Sequence, residues 1–501
     1  MESHAMGNIA FQHELRPVLP NVYGTLDYRE FREVLEKIDE VLIKSDLEHE
    51  VASQALNDFA QRQSNPNKFL QSDGAIFHYN QFKFALRCNI ARHLTGESYR
   101  KFSIRLADST LFQWFTRINA FGNRKPISKS TLERFEKLFD QEYIAEKIRE
   151  WLSKFSSDDI AISVGLNQSV DFSTVLMDTT CIKANIHFPV DWILLRDASR
   201  SLLSAIITIR NQGLKNRIID PKILMKQMNN LCIEMTNARR KKDSKKIRKA
   251  TLRKMKKLVN TIKKHACRYR DILSQEFDKT NWTERQAQQV IDRINSILEQ
   301  LPAAIKQAHD RIIGERQIES ADKILSLYDK DVEVIVRGKA GSEVEFGQRL
   351  ILSEQEDGLI IDWKLFSEKG MSDSDLAEPT INRIEERYGK INSVCADRGF
   401  GNIKLDSFLK EKNIYNGVCP KSPNLLKERL KEKQFSKLQT RRSQTEARIG
   451  IFSNVFLGKP LRSRITEYKR HTINWCVLTH NLWVIARKAI ADEKAMLKKA
   501  A

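Results

Sequence analysis

Between residues 28 and 160, apolar side chains recur at intervals of three and four. Phe31, Val34, Leu35, Ile38 and Leu42 form the first such series, a spacing that gathers apolar groups on one helix face. Asp27 stands where an N-cap would lie. The pattern predicts further helices over Gln81–Leu94, Ser98–Leu106 and Thr110–Arg117, a turn-rich stretch at Asn119–Pro126, and a helix over Ser130–Phe139. In the last of these, Ser130 and Glu133 have capping-box spacing. Short helices, a polar turn and a capped helix are compatible with a helix-turn-helix unit and equally with a plain helical bundle.

At Val170 the pattern changes. Asp171–Asp178 is a short apolar run ending in an acid, which predicts a buried strand whose last residue reaches an open edge. Helical spacing returns from Trp192 to Tyr328. From Asp331 the chain is strand-like: Val332–Arg337 alternates, and Glu343–Leu352 and Gly358–Leu365 flank a turn-prone Glu354–Gly358, a hairpin signal. A helix is expected over Pro379–Tyr388, with the proline in its first turn. Ser393–Asp397 is a second apolar run ending in an acid, followed by a glycine turn. Helices over Phe435–Phe456 and Thr472–Leu497 complete the chain. Looping out the long helical stretch leaves the strands in one mixed sheet, so the expected class is α/β: a ribonuclease H-like mixed sheet with a long helical insertion, plus an N-terminal all-helical domain. The expected boundaries are 1–165 for the helical domain, 166–198 with 331–501 for the sheet domain, and 199–330 for the insertion.

Charge sharpens this picture. The 501 residues carry 85 Lys and Arg against 64 acids, a net charge of +21, which attracts polyanions, nucleic acid foremost. The excess is densest from Arg239 to Arg270, which holds sixteen basic residues and one acid, Asp243. Ile247, Leu252, Met255, Leu258, Val259 and Ile262 persist inside the run at helical spacing. It therefore reads as a helix with one apolar stripe and a strongly basic face, either a DNA-gripping arm or the solvated face of a helical hairpin. Its candidate phosphate contacts are Arg239, Arg240, Lys241, Lys242, Lys245, Lys246, Arg248, Lys249, Arg253 and Lys254. The seven dispersed cysteines lack CxxC spacing and read as reduced thiols of a cytoplasmic protein. No apolar run approaches a membrane span, and no signal peptide is evident.

The strand-ending acids suggest a chemistry. Phosphodiester cleavage can employ two divalent metals roughly 3.5–4 Å apart, one activating the attacking oxygen and one stabilising the leaving oxygen. Mg²⁺ prefers oxygen ligands and keeps several waters, so a few carboxylates suffice. Asp178 and Asp397 would meet at one rim if their strands were neighbours. A third acid can come from a helix beside the rim; Glu446 lies on the Phe435–Phe456 helix, docked by Ile451, Phe452, Val455 and Phe456. Asp171, Asp191 and Asp197 compete for the first position.

Four stretches in order carry a resemblance: Met177–Asp191 with Leu194-Leu195-Arg196-Asp197; Arg337-Gly338-Lys339 through Gly347; Ala396-Asp397-Arg398-Gly399-Phe400; and Arg442 through Glu446 to Gly450. Together they resemble the DDE transposases of bacterial insertion sequences over most of residues 170–198 and 331–487. His480-Asn481-Leu482 is similar to that family's closing helix, and Ser98–Phe102 and Pro126–Leu132 to its DNA-binding helices. Many relatives carry a Tyr three before the Arg and a Lys seven after the Glu; here those positions hold Gln439 and Ser453.

The resemblance implies metal-dependent DNA cleavage followed by strand transfer, with Asp178, Asp397 and Glu446 holding two Mg²⁺ ions, Mn²⁺ being able to substitute. Arg398 and Arg442 would neutralise phosphate or orient the carboxylates, Arg442 alternatively serving as a salt-bridge partner; Lys339 and Arg448 are further DNA-binding candidates. The implied partners are double-stranded DNA with terminal inverted repeats and target DNA, bound by a homodimer in the bacterial cytoplasm at the nucleoid. Trp192 and Trp363 could stack on an unpaired base, though core roles fit each better. The competing readings are a nuclease that does not join and an idle DNA-binding regulator.

Overall fold

In the computed structural model, residues 19, 24–118, 127–339, 342–458, 461 and 463–500 are described, with the side chains of residues 337–339, 342 and 500 set aside. The expected turn at Asn119–Pro126 therefore lies outside the described residues. The protein is mixed α/β and mostly helical. Among the described residues there are eighteen α-helices and one six-stranded mixed sheet, and no helix is long and apolar enough to cross a membrane.

The N-terminal region is all helical: α1 (Leu26–Lys44), α2 (Leu47–Ala60), α3 (Pro66–Leu70), α4 (Asp73–Thr95), α5 (Tyr99–Asp108), α6 (Thr110–Thr116), α7 (Lys129–Glu136), α8 (Gln141–Ser153) and α9 (Asp158–Ser163). Leu35, Ile38 and Leu42 are fully buried, as their spacing requires. Two expected caps move. Thr25, not Asp27, is the α1 N-cap residue, and Asp27 falls in the first turn, where its charge complements the helix dipole. Helix α7 is capped by Ser128, whose side chain accepts from Thr131 N, so Ser130 is already helical and forms no capping box. Arg87 of α4 ties the layer together. Fully buried, it donates to Asp39 of α1 at 2.5 Å, Glu48 of α2 at 2.5 Å and the Phe115 carbonyl of α6 at 2.8 Å. Paired in this way, a charge can stand in a core.

The sheet begins with β1 (Thr174–Lys183). Four helices follow: α10 (Asp191–Asn211), α11 (Pro221–Asn237), α12 (Ser244–Glu276) and α13 (Glu284–Ile312). Then come β2 (Glu333–Lys339), β3 (Ser342–Glu354), β4 (Ile360–Leu365), α14 (Asp373–Tyr388), β5 (Ser393–Ala396), α15 (Ile403–Glu411), β6 (Tyr415–Asn416), α16 (Pro423–Arg429), α17 (Lys433–Ile451) and α18 (Thr466–Ala500). Strand order is β2-β3-β1-β5-β6, with β4 also pairing β3. The expected hairpin is present: β3 is antiparallel to both β2 and β4, whereas β1, β5 and β6 are parallel.

Three expectations about these elements are corrected. Strand β1 does not end at Asp178 but continues to Lys183, through the strand-prone Thr179-Thr180-Cys181-Ile182. Helix α14 starts six residues before Pro379, at a Ser372–Asp375 capping box, and holds the proline in its interior. Helix α17 docks through Phe435, Leu438, Arg441 and Thr445, then passes into a π-helical turn at Phe452–Phe456. The wider turn shifts the side-chain phase, leaving Ile451 and Val455 exposed while Phe452 and Phe456 stay buried.

The chain forms two compact units. One comprises residues 1–182, 349–366 and 371–501, with the N-terminal helices and the β1–β5 region of the sheet in a single hydrophobic core. The other comprises residues 183–348 and 367–370, and its core is built by α10 to α13. There the apolar stripe of the basic run is buried as expected at Leu252, Met255, Val259 and Ile262.

Candidate active site

Strands β1 and β5 run parallel, with Thr174 beside Ser393 and Met177 beside Ala396. One step beyond the last pair stand Asp178 and Asp397. Adjacent strands lie roughly 4.8 Å apart, so the two carboxylates leave the sheet as neighbours. Side chains alternate between faces, so Asp178, inside β1, shares a face with Leu176. Leu176 and Cys395 pack with Leu438 of α17, while Asp397 follows the last residue of β5 and opens the turn beyond it.

Each acid is held locally. Asp178 Oδ1 accepts from Thr179 N at 2.7 Å. After β5 the chain turns, and Asp397 Oδ1 accepts from Gly399 N at 2.8 Å while the fully buried Phe400 anchors the turn. A methyl group at Gly399 would stand 3.0 Å from Asp397 Oδ1 and 3.1 Å from Asp373 Oδ2. A larger residue here would press on both carboxylates.

Asp373 is a residue that sequence reasoning missed. It opens α14, and its Oδ1 accepts from Thr179 Oγ1 and from Arg349 Nη1, both at 3.0 Å. It therefore links the residue after Asp178 to the turn that holds Asp397. The Ser372–Asp375 capping box was the available signal, hidden by assigning Pro379 to the first turn.

Glu446 is placed differently. Helix α17 is fastened to the sheet through polar groups. Gln439 donates to the Gly417 carbonyl at 2.7 Å, and Arg441 and Thr445 both reach the buried Glu354 at the end of β3, at 2.8 and 2.5 Å. Glu446 lies on the same helix with its side chain 56% exposed, paired with Arg442 at 3.1 Å. The structure thus sets Asp373 against Thr179, the residue after Asp178, and near the turn that follows Asp397, and leaves Glu446 engaged with Arg442. Among the described residues, no group of three His, Cys, Asp or Glu side chains is arranged to hold a metal ion. Two neighbouring aspartates supply the hard oxygen donors that Mg²⁺ prefers; the third donor is not converged with them.

The competing acids have other partners. Asp171 accepts from Ser173, Asp191 pairs with Arg311 at 2.9 Å, and Asp197 pairs with Arg200 at 3.2 Å. Burial pushes the Cys395 thiol up to about 12, which makes it an inert neighbour of the acids.

The candidate cations divide into groups. Arg398 is exposed immediately after Asp397. Arg442 pairs with Glu446, a contact that fits carboxylate orientation and a structural salt bridge alike. Arg448 turns inward against Gly358, with Nη1 3.9 Å from Glu354; burial lowers its pKa from the usual guanidinium value, against the opposing pull of Glu354. Lys339 ends β2, and its side chain lies outside the described residues. In the second unit, Arg239, Arg240, Lys241, Lys242, Lys245, Lys246, Arg253 and Lys254 are exposed and Arg248 and Lys249 half-buried. Trp192 and Trp363 are core residues, 4% and 5% exposed, with Trp363 Nε1 donating to Asn474. Comparison with protein-family models, with curated protein sequences and with solved structures finds no match to this chain.

Proposed function

We propose that this protein is a metal-dependent DNA transposase of the DDE type, built on a ribonuclease H-like core and acting on the ends of a mobile element. The observation that carries the reading is the parallel register of β1 and β5, whose last pair, Met177 with Ala396, immediately precedes Asp178 and Asp397. The order of antiparallel β2–β3–β4, then parallel β1, β5 and β6, supports the core assignment, and the net charge of +21 supports a nucleic-acid substrate.

In this reading Asp178 and Asp397 bind divalent metal through their carboxylates, and Glu446 completes the set once its pairing with Arg442 is exchanged. When bound, the metal supplies Lewis-acid stabilisation of the attacking and leaving oxygens. The residues of the chain hold the geometry. Thr179 N and Gly399 N orient the two aspartates, and Gln439, Arg441 and Thr445 seat the helix that carries Glu446. Arg398, exposed beside Asp397, is available to a substrate phosphate. The basic helix α12 adds sequence-independent, salt-sensitive binding.

The test is Mg²⁺- or Mn²⁺-dependent cleavage and joining of DNA carrying the native element ends, comparing wild type with Asp178→Asn, Asp397→Asn and Glu446→Gln. All three variants are expected to bind DNA and lose cutting. Retention of cutting by both aspartate variants overturns the reading. Retention by Glu446→Gln alone transfers the third role to another acid. Cutting without joined product leaves a nuclease.

A further inference from the structure

Within the second unit, an open basin of about 450 Å³ is lined by Arg248, Arg311, Arg316, Lys323, Asp191 and Glu315, among others. Its acids already have partners. Both oxygens of Asp191 accept from Arg311, at 2.9 and 3.0 Å, and Gln307 adds a further bond at 2.9 Å. Glu315 pairs with Lys249 at 2.8 Å and with Lys245 at 3.0 Å. Among the described residues, no carboxylate lies within ion-pair distance of Arg248, Arg316 or Lys323.

Arg248 is the central group. Its guanidinium lies over the buried Trp192 ring, 5.2 Å from the centroid, and Arg239 approaches the same ring at 5.9 Å. The cation–π contact restrains the guanidinium. Its Nε is buried with no hydrogen-bond partner. Burial and Arg239 lower its pKa, with Asp191 opposing them and Arg311 adding to the fall. A planar guanidinium with no carboxylate partner, surrounded by further cations, matches a tetrahedral dianion or phosphodiester better than a carboxylate. The basin is continuous in sequence with the exposed Arg239–Lys242 turn and with Lys245 and Lys246, which extends the cationic surface along a polyanion.

We propose that this basin is a phosphate-binding pocket that seats one backbone phosphate of duplex DNA, gripped by Arg248 with Arg316 and Lys323 at its rim. The choice of DNA rests on the transposase reading; the preference for phosphate rests on the basin itself. The pocket makes one part of the basic helix a built site and the rest a diffuse field.

The test uses the full-length protein and a short duplex of arbitrary sequence, with no divalent metal present, so cleavage plays no part. Binding is followed by fluorescence anisotropy across a KCl series. Arg248→Gln is expected to weaken binding about tenfold and to lower the slope of log affinity against log salt by about 0.9, the release expected for one phosphate contact. Arg248→Lys, which keeps the charge but lacks the planar guanidinium, is expected to stay severalfold weaker than wild type. Lys323→Gln, which leaves the Trp192 stack untouched, is expected to weaken binding about threefold. The control is Lys410→Gln, exposed on α15 and outside the basic helix, with an expected change under about twofold. Equal effects of Arg248→Gln, Lys323→Gln and Lys410→Gln overturn the pocket, as does an Arg248→Lys protein that binds like wild type. If wild type cuts element ends with metal while these variants match the control, the pocket fails and the transposase reading stands. If wild type neither binds duplex nor cuts, both fail.

Discussion

Glu354 is the residue through which the seat of α17 can be tested. It ends β3 and is 4% exposed. Its Oε1 accepts from Arg441 Nη2 and Thr445 Oγ1, and Oε2 lies 3.9 Å from Arg448. Three α17 residues on one helical face thus converge on a single buried carboxylate. Glu354→Ala would leave the Arg441 guanidinium buried without an anion, and breaking such a pair typically costs about 3–5 kcal/mol. Arg441 keeps two carbonyl acceptors, Glu356 O at 2.6 Å and Gln355 O at 3.2 Å, which places the expected loss near the lower end, ~3 kcal/mol. Glu354→Gln keeps an acceptor and loses the charge, and should cost about 1–2 kcal/mol. Replacing both partners, Glu354→Leu with Arg441→Met, should recover much of the single-variant loss, because apolar packing can substitute for a buried pair once neither charge is stranded. Thermal and denaturant unfolding of the two single variants and the double variant form a cycle with an expected coupling above about 1 kcal/mol. Additive losses, or a Glu354→Ala protein within about 0.5 kcal/mol of wild type, would refute the claim that this carboxylate seats the helix.

Three further outcomes follow from the same kind of contact. Gly358→Ala imposes a Cβ at φ +96° and displaces the movable end of Arg448, so it should destabilise by the ~1–3 kcal/mol of backbone strain, read as a fall in the unfolding midpoint. Arg87→Ala strands Asp39 and Glu48 in the core and should cost about 3–5 kcal/mol; thermal melts within 1–2 °C of wild type would contradict it. Acid should destabilise the fold in two stages. Burial, aided by Arg92, holds His93 at about 3 instead of 6.5, and burial with nearby Arg448 holds His480 at about 4. The unfolded chain therefore gains protons below pH 6.5 that the folded chain refuses. Stability is full above that pH and falls as pH drops toward about 4 and 3. Burial works against the Glu136 charge, but Arg92 and His93 outweigh it and hold the carboxyl at about 2, adding a second decline from about 4.5 downward. Midpoints measured across this range should fall throughout; a flat profile between pH 6.5 and 4.5 would refute the buried neutral histidines.

The chain announces what local periodicity can carry. Apolar spacing reveals α1 and α12, alternation reveals β2, β3 and β4, and short apolar runs ending in an acid mark β1 and β5 as carriers of Asp178 and Asp397. Register is not a local property. That Met177 pairs with Ala396, and so brings the two aspartates together, follows from packing across more than two hundred residues of intervening chain. The end of β1 was misplaced for a related reason. An acid within a strand resembles a terminator in sequence, yet Asp178 stands half-buried inside β1 with Thr179 N donating to it.

Polar docking explains most of what remained hidden. Apolar periodicity suggests a docking stripe of Ile451, Phe452, Val455 and Phe456, of which the two phenylalanines are buried and the other two exposed; the helix is held as well by Arg441 and Thr445 on Glu354, a partner 87 residues from Arg441. A buried arginine and a buried glutamate read separately as surface residues, and only their pairing makes burial possible. The same holds for Asp373, whose acceptor role depends on Thr179 and Arg349 from two other strands. The two kinds of placement differ in rigidity. Asp178 sits within β1 and Asp397 in the turn after β5, and each accepts from a backbone N–H close by in the chain. Glu446 is carried by a helix seated through side chains and shares an exposed ion pair with Arg442, an interaction worth at most about 1 kcal/mol. On the transposase reading proposed above, the two aspartates would be held by the backbone, and the glutamate by a pairing that costs little to exchange.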